Sequence, residues 1–88
     1  MKIKPGFLLR NVADVNVVVP VGEMSVDFNG IITLNDTGKF LFRQLMTKDT
    51  SEDELLQLML EEYEVDEETA GADIRNFASK LREADLFV

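Results

Sequence analysis

Residues 7–34 and residues 35–88 carry different hydrophobic periods, and this change limits the fold more than any other property of the chain. The first stretch is dense in β-branched residues that alternate with polar ones. Phe7-Leu8-Leu9-Arg10-Asn11-Val12 and Val15-Asn16-Val17-Val18-Val19 read as two strands joined by a short turn at Ala13-Asp14, with Pro20 and Gly22 marking the end of the second. Met24-Ser25-Val26-Asp27-Phe28 alternates as a half-buried strand does. Asn29-Gly30 tolerates positive φ at both residues, which predicts a hairpin with Ile31-Ile32-Thr33-Leu34 as its return strand.

From Asn35 onward the period is helical. Asn35 is a good N-cap, Asp36 suits the positive end of a helix dipole, and Phe40, Leu41 and Leu45 fall on one face. Gly38 in this helix is either a weak point or a place of close approach. Ser51-Glu52-Asp53-Glu54 fits a capping box ahead of the stripe Leu55, Leu58, Met59 and Tyr63. Met46 and Met59 stand beside Leu45 and Leu58 and read as core. A third helix opens at Asp66, with Val65 and Ala70 placed as a hydrophobic staple and Ile74, Phe77, Ala78 and Leu81 lining one side. The apolar end Leu86-Phe87-Val88 is expected to tuck against the strands.

Strands followed by three helices, with no linker or repeat, predict one α+β domain over residues 1–88, its helices packed on one face of a small antiparallel sheet. Three helices beside a β wing also describe a winged helix-turn-helix.

The composition narrows the function. The 88 residues include no histidine and no cysteine, so the commonest general base, the commonest metal ligand and the thiol nucleophile are all missing. Absence of cysteine fits a reducing cytosol, and no apolar segment approaches a bilayer's thickness, so a cytoplasmic location is expected. A net charge of -8 disfavours phosphate backbones and anionic membranes.

Specific chemistries find little support. Between residues 51 and 73 every charged residue is acidic, but the spacing of Asp66-Glu67-Glu68 lacks the glycine and closing glutamate of a calcium loop; a solvated acidic face explains it, and no metal site is expected. Asp27 and Asp36 flank the hairpin, yet turn and cap roles account for both, so no catalytic residue is assigned. Asp36-Thr37-Gly38-Lys39 contains Gly-Lys without the rest of a phosphate loop. A DNA-binding winged helix needs several cations on one recognition face. The third helix offers Arg75, Lys80 and Arg82; Arg75 and Arg82 share a side and Lys80 lies on the other.

What remains is a sheet edge. A small sheet covered on one face by helices leaves unpaired backbone groups along an edge, and a peptide can add there as a further strand without any catalytic group. In this light several segments, taken in order, resemble the PqqD family of small peptide-recognition domains, also called RiPP recognition elements. They are Phe7-Leu8-Leu9-Arg10-Asn11-Val12, Val17-Val18-Val19-Pro20-Val21-Gly22, Ile32-Thr33-Leu34-Asn35-Asp36-Thr37-Gly38, Ser51-Glu52-Asp53-Glu54-Leu55, Glu62-Tyr63-Glu64-Val65-Asp66, and Asp73-Ile74-Arg75-Asn76-Phe77 with Leu81.

The resemblance implies three strands and three helices in a winged-helix arrangement, and a non-catalytic peptide chaperone of cofactor or RiPP biosynthesis. Such a chaperone takes the leader of a ribosomally made precursor by strand addition between the third strand and the third helix. It then presents the precursor to a modifying enzyme, often a radical S-adenosylmethionine enzyme, which itself holds the iron–sulfur cluster and cofactor. Carried onto this chain, Ile31, Ile32, Thr33 and Leu34 supply the edge, and Asp73, Phe77 and Lys80 line the helix side, with Phe77 flooring an apolar pocket. Core packing is the plainer account of Ile74, Phe77 and Leu81. The sequence departs from the family at Asp85 and at Asp14, where glycine is common, and residues 23–30 form a longer link. The strand before Asn29-Gly30 is therefore the alternative groove strand. DNA binding is the alternative function, and a homodimer paired through the open edge is the alternative occupant.

Overall fold

Dense β-branching makes the first two predicted segments pair as a hairpin, β1 (Phe7–Val12) with β2 (Val15–Pro20), in the register Leu8↔Val19, Arg10↔Val17 and Val12↔Val15. The computed structural model describes residues 1–22 and 31–88. β3 (Ile32–Leu34) adds to β2, giving an antiparallel sheet in the order β1-β2-β3. Three helices follow: α1 (Asp36–Thr47), α2 (Glu52–Glu62) and α3 (Glu67–Glu83). The fold is α+β, three antiparallel strands and then three helices, in the manner of a winged helix. The strand expected over residues 24–28, the Asn29-Gly30 turn and Asp27 lie outside the described residues.

The turn between β1 and β2 is the two-residue kind, with Ala13 at φ 51° and Asp14 at φ 66°. Positive φ at both central residues gives the twist that matches paired strands, and here neither residue is glycine or asparagine. One sheet face looks inward through Val18, Ile32 and Leu34. Asn16 also points inward and is only 4% exposed. Its amide donates to the Leu34 carbonyl (3.2 Å) and to Asp36 Oδ1 (3.3 Å), and its Oδ1 accepts from Asn11 Nδ2 (3.1 Å). One side chain thus joins β1, β2, the end of β3 and the start of α1, and its polar atoms are partnered as burial demands.

All three helix starts are capped where the sequence places the caps. Asn35 Oδ1 accepts from the Gly38 N–H (2.7 Å), Ser51 Oγ from the Glu54 N–H (3.1 Å), and Asp66 Oδ1 from the Thr69 N–H (2.7 Å). The Thr69 amide holds the Asp66 carboxyl below the usual carboxylate range. Lys48, bonded to Glu54 at 2.9 Å, chiefly does the same for the Glu54 carboxyl. The faces so positioned bury Leu41, Phe42, Leu45, Leu55, Met59 and Leu81 completely or nearly so. Phe40 packs edge-on against Tyr63, ring centroids 5.5 Å apart. Met46 is a correction: it is 45% exposed, because the adjacent Phe42 and Leu45 already fill the inward face of α1.

α3 ends in a Schellman turn. The Leu86 N–H reaches the Leu81 carbonyl (3.0 Å) and the Asp85 N–H the Arg82 carbonyl (3.1 Å), with Asp85 at φ 61°. Asp85 also pairs with Lys4 at 2.8 Å. The apolar segment after this turn buries Leu86 in the core cluster that holds Phe7, Val18, Ile32 and Leu34 of the sheet. Its backbone pairs with residues 2–4: Ile3 bridges Phe87, the Lys4 N–H donates to the Leu86 carbonyl and the Val88 N–H to the Lys2 carbonyl. Among the described residues no helix is long and apolar enough to cross a membrane.

Candidate functional site

Backbone alternation decides what each strand offers. A two-residue hairpin closes on a hydrogen-bonded pair, so Val12–Val15, Arg10–Val17 and Leu8–Val19 exchange bonds across β1 and β2. β2 then turns the backbone groups of Asn16 and Val18 toward β3, where they meet Leu34 and Ile32. Thr33, opposite Val17, is left with its N–H and C=O directed away from the sheet.

β3 is a sheet edge, and α3 stands beside it. The contact is explicit: Lys80 Nζ donates to the outward Thr33 carbonyl at 2.7 Å. Beside this bond lies a cavity of about 220 Å³, open to solvent, between the end of β3, the first turn of α1 and one face of α3. Leu34, Leu41 and Phe77 give it apolar walls; Asn35, Thr37, Asp73, Asn76 and Lys80 give it a polar rim. Asn76 and Lys80 stand four apart and Asp73 and Asn76 three apart, the spacing that puts side chains on one helix face.

Of the residues expected to act here, Leu34, Asp73, Phe77 and Lys80 line the cavity together. Phe77 is 6% exposed and belongs to the core as well, so its ring is both floor and foundation. Asp73 is half-buried and Lys80 exposed. Thr33 lies along the open edge outside the cavity, and Ile31, 65% exposed, stands just ahead of the strand. Ile32 has its side chain in the core and its backbone committed to β2.

Sequence reasoning missed Asn35, Thr37, Gly38, Leu41 and Asn76. A signal existed at Gly38. A Cβ there would stand 3.2 Å from both Leu34 Cβ and Asn35 Oδ1, so the glycine makes room for a strand side chain and for the helix cap. Asn16 was missed too; it fixes the corner from Leu34 to Asp36 at the cavity's mouth.

The three cations of α3 serve separate surroundings. Lys80 caps Thr33, Arg82 stacks 5.9 Å from the Phe87 ring centre, and Arg75 borders a shallow surface with Glu67 and Glu68. Asp36 is engaged by Asn16. Among the described residues no three acidic side chains gather as a metal site would require.

Comparisons with known proteins bear on the family and the fold. The family profile described as "Coenzyme PQQ synthesis protein D (PqqD)" matches residues 17–86. The structure superposes on TbiB1, solved in complex with the TbiA(beta) leader peptide, with a TM-score of 0.72 at 22% identity, over 98% of this chain and 93% of that one. It also superposes on lasso peptide synthetase B1 complexed with the leader peptide, with a TM-score of 0.68 at 22% identity, over 93% and 89% of the two chains. No curated protein sequence matches.

Proposed function

The chain belongs to the PqqD family, and on that premise we propose that it binds the leader segment of a ribosomally synthesised precursor peptide and presents it to a modifying enzyme. The leader adds as a strand along β3, in the trough between that strand and α3. Thr33 supplies the outward N–H and C=O, and Ile31 continues the same edge. A leader side chain enters the cavity against Leu34 and Phe77, while Asp73 and Lys80 fix direction and register. Backbone pairing gives affinity of a sequence-tolerant kind, and the cavity gives selectivity. The chain carries out no chemistry itself. It acts in the cytoplasm, and its enzyme is of the radical S-adenosylmethionine type.

One observation carries the reading: an open strand edge is walled by a helix and ends at a cavity with an apolar floor. The two similar folds, each solved with a leader peptide, support it. The test is an amide NMR titration of the domain with the leader of a precursor peptide encoded near its gene. Shifts are expected at residues 31–34 and along residues 73–81. Shifts confined to β1 and the Ala13-Asp14 turn would move the site to the other edge and overturn the proposal.

A further inference from the structure

The Thr33 carbonyl is the acceptor that an added strand must use, and it is already occupied. Lys80 reaches across from α3 and gives it a hydrogen bond of 2.7 Å. A lysine over a bare edge is one of the means by which proteins keep strands from pairing with the wrong chain. This one is exposed to water, so an incoming backbone N–H can displace it at little cost.

Displacement leaves an ammonium group held by the helix wall above the newly bound backbone. Its surroundings then decide what it prefers. On α3 itself, Phe77 and Asn76 lie one turn back and bring no charge; Asp73 lies two turns back, about 10 Å along the axis. Glu83, three residues ahead, is exposed and offers only the weak pairing typical of helix surfaces. The nearby β3 residues carry no charge, and Asp36 at the start of α1 is engaged by Asn16. Among the described residues this leaves no strong acceptor beside Lys80, and the bound strand can supply one.

Building on the leader-binding reading above, we propose that Lys80 is a displaceable plug on the β3 edge and, once displaced, selects a carboxylate side chain beside the ligand residue that takes over the Thr33 carbonyl. The preference is local. With a net charge of -8 the protein repels acidic peptides as a class, and Asp73 disfavours a carboxylate at the far end of the cavity. An acidic residue is therefore welcome at one register and unwelcome at the others, which fixes the direction in which a strand is read.

The probe is a display library of random ten-residue peptides, selected separately on the wild-type protein, Lys80→Met and Lys80→Glu, each checked by circular dichroism. Wild type is expected to enrich Asp or Glu at one position. Lys80→Met should lose that preference while still enriching apolar residues for the cavity, and Lys80→Glu should exchange it for Lys or Arg. For the best wild-type peptide, replacing the acid by its amide should weaken binding up to about fivefold, and should change nothing with Lys80→Met. Enrichment without an acidic position, or an acidic preference that survives Lys80→Met, overturns the role of Lys80 and leaves strand addition standing. Enrichment of no peptide by any of the three proteins overturns strand addition itself, and the role of Lys80 with it.

Discussion

The two edges of the sheet are opposites. β1 is six residues long, and it directs backbone groups outward at Leu9 and Asn11. The exposed side chains of that hairpin include Leu8, Val12 and Val15. β3 is three residues long, yet it has a helix alongside, a cavity at its end and a cation on its outward carbonyl. Length and openness make β1 the better template for indiscriminate pairing. A wall that can read side chains makes β3 the better place for selective pairing. On the proposed reading, selectivity comes from what surrounds an edge.

The most forceful way to break this contrast is to remove the wall. Phe77→Ala takes a nearly buried ring from a position that is both cavity floor and core, and should destabilise the domain by about 3–5 kcal/mol. Leu8→Ala on the hairpin face, 44% exposed, should cost about 0.5 kcal/mol or less. Urea denaturation of both variants measures this directly. Equal losses would mean that the hairpin face is covered in solution and that the two regions are less different than their exposure suggests.

A finer test acts on single backbone groups. Thr33→Pro deletes an N–H that faces away from β2, so the β2–β3 ladder keeps its bonds while the edge loses a donor and gains a ring. Affinity for a peptide that shifts Thr33 in the titration should fall about ten- to a hundredfold. Asn11→Pro makes the equivalent change on β1 and loses the Asn11–Asn16 bond as well, so it should lower stability and leave affinity within about twofold. Calorimetric titration distinguishes the two, and a comparable loss of affinity from Asn11→Pro would place part of the ligand on β1.

The contrast also marks what sequence alone makes legible. Helix starts are local events. Asn35, Ser51 and Asp66 each cap a helix because the donor they satisfy lies three residues away or fewer along the chain. The edge strand is readable through its alternation, since Ile32 and Leu34 are buried and Thr33 is not. The wall is less so. Lys80 and Thr33 are 47 residues apart, and nothing in either neighbourhood states that they meet; only the family resemblance placed them together. Asn16 within a valine run looks like a solvent-facing break, and its burial follows from partners in three other elements. Met46 has the spacing of a core residue but finds the face already full. The turn at Ala13-Asp14 is legible as a turn, and the family resemblance marks Asp14 and Asp85 as places where glycine is common; what the residues do not announce is the left-handed backbone, adopted here without a glycine.

That last feature supplies the mildest test. Ala13 is poorly suited to φ 51°, and Asp14 tolerates φ 66° less well than glycine. The double substitution Ala13→Asn with Asp14→Gly supplies the pair that such a turn prefers and should stabilise the domain by about 1 kcal/mol, raising Tm by about 4–8 °C. Peptide affinity should not move, because the backbone groups offered at Thr33 face away from β2, although the turn lies only two residues from the Asn16–Leu34 pair. The one path by which it could move is visible: Asn16 takes a bond from Asn11, two residues before the turn, and gives bonds to Leu34 and Asp36 at the cavity mouth. If the repaired turn tightens or weakens peptide binding, Asn16 couples the edges, and an added Asn16→Ser should abolish the effect of the turn on affinity. If stability rises alone, the hairpin can be tuned without disturbing the groove, and the two edges are independent in energy as well as in form.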